Sequence, residues 1–196
     1  MSEDHASTAI AARVRRLEER LVDAGVVSDA ELDTILNRFL AKASPLNGAR
    51  IVARAWVDEG FRERLLDDAN SAIKELGLSL GGDHAELRLR VVANTQTLHN
   101  VIVCTLCSCY PLQLLGPSPS WYKSLAYRSR VVRVPRDVLA EFGLHLPDDV
   151  EIAVWDSSAE SRYMVLPMRP PGTEDKSEDE LAGLVTREGL IGTAAV

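Results

Sequence analysis

Ile10, Val14, Leu17 and Leu21 recur at intervals of three or four from about residue 7 to 24, with Arg, Glu and Asp filling the positions between them. That period aligns apolar side chains on one face of an α-helix. Leu32, Ile35, Leu36, Phe39 and Leu40 continue a second stripe, and it follows Ser28 and Glu31, whose spacing is that of a reciprocal N-terminal cap. Pro45, Asn47 and Gly48 then interrupt the pattern. Ile51, Val52, Ala55 and Trp56 mark a further helical stretch. Beyond it, Asp58 is placed to cap one longer helix that presents Phe61, Leu65, Ala69, Ile73 and Leu76 and ends at Gly77. These stripes are broad for the core that the first 80 residues could form alone. Part of the apolar surface is therefore assigned either to another chain or to burial against the rest of this one.

The period shortens after Gly81-Gly82. Leu87, Leu89, Val91 and Ala93 alternate with Glu86, Arg88, Arg90 and Val92, as in a half-buried strand. A turn over 95–100 and the apolar run Val101-Ile102-Val103 follow, and Pro111, Gly116, Pro117 and Pro119 mark irregular backbone further on. Ser120 is read as the cap of a helix running through Arg130, and Pro135 as the first turn of another that ends near Gly143. Strands over 150–155 and 161–167 flank Asp156-Ser157-Ser158 and are expected to pair antiparallel with each other. Past Pro170-Pro171-Gly172, Ser177 and Glu180 form the cap of one last short helix.

Composition narrows the function. With 22 basic against 29 acidic residues the net charge is −7, which opposes a broad phosphate-binding surface and excludes nucleic acid as the expected partner. No run approaches the roughly 20 apolar residues that span a bilayer, and Met1-Ser2-Glu3-Asp4-His5 lacks the layout of a signal peptide. No membrane association is expected, and the cytoplasm is the expected location.

All three cysteines, Cys104, Cys107 and Cys109, fall within six residues. They cannot form a framework of bridges between distant segments. Three soft thiolates so close together can converge on one ion if the backbone curls around it. Structural zinc needs four protein ligands, usually from two separated pairs, and no second pair is present. An iron–sulfur cluster normally takes four cysteines. A redox pair of Cys104 and Cys107 leaves Cys109 unexplained, with Pro111 disrupting any helix behind it. Buried cysteines without chemistry would be the reading for a lone residue, not for every cysteine of the chain in one window. Main-chain groups or solvent would have to complete a six-coordinate shell, and Thr105 and Ser108 add uncharged hydroxyls beside it.

The segment Val103-Cys104-Thr105-Leu106-Cys107-Ser108-Cys109-Tyr110-Pro111, preceded by Asn94-Thr95 and His99-Asn100, resembles the metal-binding signature of nitrile hydratase α subunits. The resemblance extends to Asn47-Gly48-Ala49-Arg50, Ala53-Arg54-Ala55-Trp56, Trp121-Tyr122-Lys123, Tyr127-Arg128, Val150-Glu151, Trp155-Asp156-Ser157-Ser158 and Arg162-Tyr163. It implies a metal held by the sulfurs of Cys104, Cys107 and Cys109 and by the main-chain nitrogens of Ser108 and Cys109. It also implies that Cys107 is a sulfinic and Cys109 a sulfenic acid. Thr at position 105 implies cobalt(III), non-corrin, with iron(III) as the alternative. In the implied reaction, hydration of a nitrile to its amide, Cys109 and Ser108 are the catalytic residues: the Cys109 sulfenate oxygen or an activated water attacks the nitrile carbon, and Ser108 orients the sulfenate or substrate. The implied partners are a β subunit, in an αβ heterodimer assembled as α2β2, and an activator protein for metal loading.

The combined expectation is an α+β chain. An extended N-terminal helical arm over 1–80 packs on the partner subunit, and a layered α-β-β-α globular domain over 81–196 carries the metal. Other chemical-looking residues receive plainer readings. His99 is taken as a structural hydrogen-bonding residue, Trp121, Tyr122 and Lys123 as packing or subunit contact, and Asp156 with Glu160 as a solvated turn. Tyr110 and Leu112 are candidates to line the pocket, and many relatives carry a larger residue at the place of Leu112. Two competing functions remain: the γ subunit of thiocyanate hydrolase, which has the same cysteine loop, and a non-catalytic metal or thiol sensor.

Overall fold

The computed structural model describes residues 9–41, 43–82, 85–106 and 109–196. The chain divides into two compact units between Lys42 and Ala43. The first holds α1 (Ala9–Asp23) and α2 (Asp29–Ala41). None of the residues of α1 is buried, and Val14, Leu17, Leu21, Leu32, Ile35 and Leu36 line one apolar groove. The expected cap is present: Ser28 N–H and Oγ–H donate to Glu31 Oε2 at 2.9 and 2.7 Å, and Glu31 N–H returns to Ser28 Oγ at 3.3 Å.

The second unit begins with α3 (Pro45–Val57), α4 (Glu59–Asp67) and α5 (Ala69–Lys74). These helices, which the hydrophobic pattern grouped with the arm, share one buried cluster with the strands: Ile51, Phe61, Leu65 and Ile73 pack with Leu89, Val91, Val101 and Ile102. Each such side chain stabilises the fold by about 1.5–3 kcal/mol. The single helix expected after Asp58 is two. Asp68 leaves helical geometry (φ −133°, ψ 85°), and its carboxylate accepts from Ser71 N–H and Ser71 Oγ–H at 3.2 and 2.6 Å, so one aspartate ends α4 and starts α5.

A two-residue pairing of β1 (Gly81–Gly82) with β2 (Ala85–Glu86) leads to β3 (Arg88–Ala93) and β4 (Leu98–Val103). Then come α6 (Leu112–Leu115), a 3-10 turn over Ser120–Lys123, α7 (Leu125–Arg130), α8 (Pro135–Glu141), β5 (Glu151–Asp156), β6 (Ser161–Leu166), α9 (Glu178–Ala182) and α10 (Arg187–Ile191). The helix expected from Ser120 through Arg130 is therefore divided, with Ser124 capping its second part. The chain is α+β.

The expected antiparallel pairing of the last two strands is wrong. β5 pairs in parallel with β4, from Leu98↔Glu151 to Val103↔Asp156, and β6 pairs in parallel with β3, from Arg88↔Ser161 to Ala93↔Leu166. Both short connections cross from one sheet to the other instead of folding back as hairpins. In the first, Asn94 Oδ1 accepts from Asn100 N–H at 2.8 Å; in the second, Ser158 Oγ accepts from Ser161 N–H at 3.1 Å. These side-chain bonds add to one backbone bond at each crossing, Thr95 N–H to Leu98 O at 2.9 Å and Ser158 N–H to Ser161 O at 3.1 Å. On the outer edge of β3 the Asn70 amide takes the role of a missing strand, donating to Leu87 O at 2.8 Å and accepting from Leu89 N–H at 2.7 Å. α10 lies against β4 and β6, with Leu190 and Ile191 fully buried. The close approach depends on Gly192, at φ +90°.

Candidate metal centre

The parallel register of β4 and β5 places the ends of two distant segments side by side. Val103 and Asp156 are partners, and Ser157 N–H donates to Val103 O at 2.8 Å, so the cysteine segment leaves β4 directly beside the carboxylate that ends β5. Thr105, the residue after the first cysteine, is gripped there. Its N–H donates to Asp156 Oδ1 at 2.9 Å, and its Oγ1–H donates to Asp156 Oδ2 in a short bond.

Three side chains from the 3-10 turn and α7 hold main-chain oxygens along the same segment. Tyr127 O–H donates to Ile102 O at 2.7 Å, Arg128 Nη2 to Thr105 O at 2.6 Å, and Tyr122 O–H to Cys109 O at 3.2 Å. Burial raises the pKa of both phenols well above the usual tyrosine range, so they stay protonated and keep donating at any physiological pH. An aromatic cluster fixes them: Trp121 meets Tyr127 edge to face at 4.9 Å between centroids and Phe142 at 4.6 Å, and Tyr110 meets Tyr122 at 5.0 Å.

Cys104 and Cys109 are 1% and 9% exposed, whereas Leu106 between them is 88% exposed. The two outer cysteines are thus buried, while Leu106 between them faces solvent. Cys107 and Ser108 lie outside the described residues. Among the described residues no group of three or more His, Cys, Asp or Glu is placed to hold a metal ion. The residues present at the loop fit a soft-ligand site: two buried sulfurs at its two ends, with the backbone between them tethered at several points.

At the start of β4, His99 is buried. Asn94 Oδ1 is taken by Asn100 N–H and Nδ2 at 2.8 and 3.0 Å, which turns the Asn94 amide nitrogen toward His99 Nδ1 at 3.3 Å. Nδ1 is then the acceptor, and Nε2–H donates to Gly192 O at 2.8 Å. The ring is neutral, and burial holds its pKa below the usual histidine value. A depressed histidine pKa means that the unfolded chain binds the proton first as pH falls, so stability is full above about 6.5 and declines below it. The urea midpoint is expected to drop on acidification from pH 7, with this one proton contributing at most ~1.4 kcal/mol per pH unit; a His99→Gln chain, less stable at pH 7, should show a shallower decline between pH 6.5 and 5.

The sequence model for "Nitrile hydratase, alpha chain" matches residues 8–194. The chain belongs to the nitrile hydratase α-chain family. It is 55% identical over 185 residues to the low-molecular weight cobalt-containing nitrile hydratase subunit alpha of Rhodococcus rhodochrous, covering 94% of this chain and 88% of that one. It is also 44% identical over 186 residues to the thiocyanate hydrolase subunit gamma of Thiobacillus thioparus, covering 91% and 76%. Among solved structures, a double mutant of the Fe-type nitrile hydratase from Comamonas testosteroni superposes with a TM-score of 0.87 at 43% identity, over 95% of this chain and 89% of that one.

Within this nitrile hydratase α-chain fold, several residues have other places than the sequence suggested. Asp156 is no free turn residue, since both its oxygens hold Thr105; Glu160 does stay exposed. Tyr122 and Arg128 reach loop carbonyls and so belong to the site, though nothing in their local pattern marks them. Tyr110, beside the cysteine loop, is buried against Tyr122, and Leu112 is half-buried at the start of α6.

Proposed function

We propose that this chain hydrates nitriles to amides as the metal-bearing α subunit of a heteromeric nitrile hydratase, a hydro-lyase. What carries the reading is the cysteine loop: the family match runs through it, and its two described cysteines are buried beside a tethered backbone. Cys104, Cys107 and Cys109 would hold the metal through sulfur, with the main-chain nitrogens of Ser108 and Cys109. Cobalt(III) is the proposed ion, supported by Thr105 and by the cobalt-containing relative of Rhodococcus rhodochrous; iron(III), by analogy with the Fe-type relative, is the alternative. When bound, such an ion supplies Lewis acidity that polarises a nitrile toward attack at carbon.

The chain's own residues do the rest. Cys107 is a sulfinic and Cys109 a sulfenic acid in this reading. Either the Cys109 sulfenate oxygen attacks the nitrile carbon, its S–O bond then breaking as water attacks sulfur and restores the sulfenate, or an activated water attacks the carbon directly; Ser108 orients the sulfenate or substrate. Net addition of one water converts R–C≡N to R–C(=O)NH₂. Asp156, Arg128 and Tyr122 hold the loop's backbone while this happens, so its groups need no reorganisation.

A β subunit completes the pocket, in an αβ or α2β2 assembly, and an activator protein delivers the metal. The apolar groove of the arm over 9–41 packs on that partner, and the globular unit is arranged as α-β-β-α layers. Among the described residues no helix is long and apolar enough to cross a membrane, and the assembly is placed in the cytoplasm.

Co-expression with the β subunit and activator, followed by metal analysis and a panel of nitriles together with thiocyanate, tests this. The expected result is one cobalt per chain and amide from at least one nitrile, with the isolated chain nearly inactive. Turnover of thiocyanate without amide from any nitrile would move the assignment to thiocyanate hydrolase, and reversible metal binding with no product would make the chain a sensor.

A further inference from the structure

Three polar groups of one residue, Thr105, are held from two sides. Asp156 takes its N–H and hydroxyl, and Arg128 takes its carbonyl. The two holders come from different parts of the chain, the end of β5 and the middle of α7, and Tyr127, next to Arg128, pins Ile102 O two residues before the first cysteine. Arg128 is placed there at a cost. Its Nε is buried with no hydrogen-bond partner among the described residues, and a buried unsatisfied donor on a cation is destabilising. An aliphatic side chain would fill the same space without that penalty, so packing does not account for an arginine here. What the guanidinium supplies is a donor on the one carbonyl between Cys104 and Leu106.

We propose that Arg128 and Asp156 are positioning residues that set the cysteine loop in its metal-receiving shape before any ion arrives, and so govern how fast the chain captures cobalt. This rests on the cysteine loop being the metal site. With Thr105 fixed at N–H, hydroxyl and carbonyl, the peptide units on both sides of it lose their rotational freedom, and the rest of the loop starts from a fixed point. Without the clamp, the ion must order the loop as it binds, which slows capture while leaving the set of ligands unchanged.

The test uses the full-length, metal-free, reduced chain together with its activator protein, the same for every variant. Cobalt(II) uptake is followed by the growth of the sulfur-to-cobalt charge-transfer absorption, and Thr105 amide exchange is measured without metal. Asp156→Ala and Arg128→Met are expected to slow uptake tenfold or more and to speed Thr105 exchange by a similar factor, with the final cobalt per chain unchanged. Asp156→Asn, whose amide can accept from the Thr105 N–H and donate to its hydroxyl, should restore most of both. Uptake and exchange at wild-type rates in the Ala and Met variants would overturn the proposal, as would an Asn variant as impaired as Ala. Loss of the folded far-UV spectrum in either variant would also count against it, because it would assign the pair to the core. If the unaltered chain takes up cobalt with no thiolate absorption, the metal-loop reading itself fails and the proposal with it. Normal uptake by the unaltered chain with unaffected variants refutes the clamp alone.

Discussion

Cys104→Ala is expected to leave a folded chain that co-purifies with its partner, carries less than about a tenth of the normal cobalt, and hydrates nitriles roughly a thousand-fold more slowly. The estimate follows from the part asked of the ion: Lewis-acid polarisation contributes several kcal/mol, and ~4 kcal/mol corresponds to about three powers of ten in rate. Cys104 is 1% exposed and sits where β4 ends, so the substitution removes one buried sulfur at a cost in stability of about 1 kcal/mol. Metal analysis, amide formation and a thermal melt on the same preparation separate the two effects. Normal turnover with a full complement of cobalt would show that this sulfur is not a ligand. Cys109→Ala should behave similarly, because Tyr122 holds Cys109 through its main-chain oxygen, a contact that does not depend on the side chain.

Gly192→Ala is expected to cost about 3–5 kcal/mol, a substantial share of the 5–15 kcal/mol that holds a typical domain folded. A Cβ built at Gly192 falls 2.0 Å from Asn100 O and 2.9 Å from Val101 Cα, at φ +90°. Both atoms are backbone of β4, paired along its length with β5, so neither can yield. The end of α10 would have to lift, breaking the His99 bond to Gly192 O and opening the packing of Leu190 and Ile191. Gly143→Ala is the control. Gly143 also has positive φ, +84°, but an added Cβ meets nothing within 4 Å, so the substitution should cost only about 1–2 kcal/mol of backbone strain. Urea unfolding of the two variants checks the difference; equal costs would mean that the contact with β4 adds nothing.

Local signals in the sequence were reliable because their physics is local. Ser28 with Glu31 and Ser177 with Glu180 both form the reciprocal caps that their spacing implies, and Gly143 ends α8 in the conformation expected of it. Asp68 was missed because its neighbours keep helical periodicity across it, and only its Ser71 bonds reveal the break. Strand partners were not legible at all. Alternation tells which face of a strand is buried, but nothing in 150–167 states that its two strands belong to two sheets and pair with segments some 50 to 70 residues earlier. That error hid Asp156, which reads as a turn residue until β5 is laid beside β4. The cysteine loop was legible because its chemistry is compressed into six residues. The groups that tether it, Tyr122, Tyr127, Arg128 and Asp156, are brought together only by the fold.

The bond between Thr105 and Asp156 joins residues 51 apart. At chain growth of about 5–20 residues per second, the cysteines leave the ribosome roughly 2.5–10 s before the strand that anchors them. Through that interval Tyr122, Tyr127 and Arg128, which follow the cysteines closely in the chain, are the holders available to the segment, and the grip of Asp156 on Thr105 is still missing. The full set of tethers on Thr105 therefore comes into being only when β5 is laid beside β4.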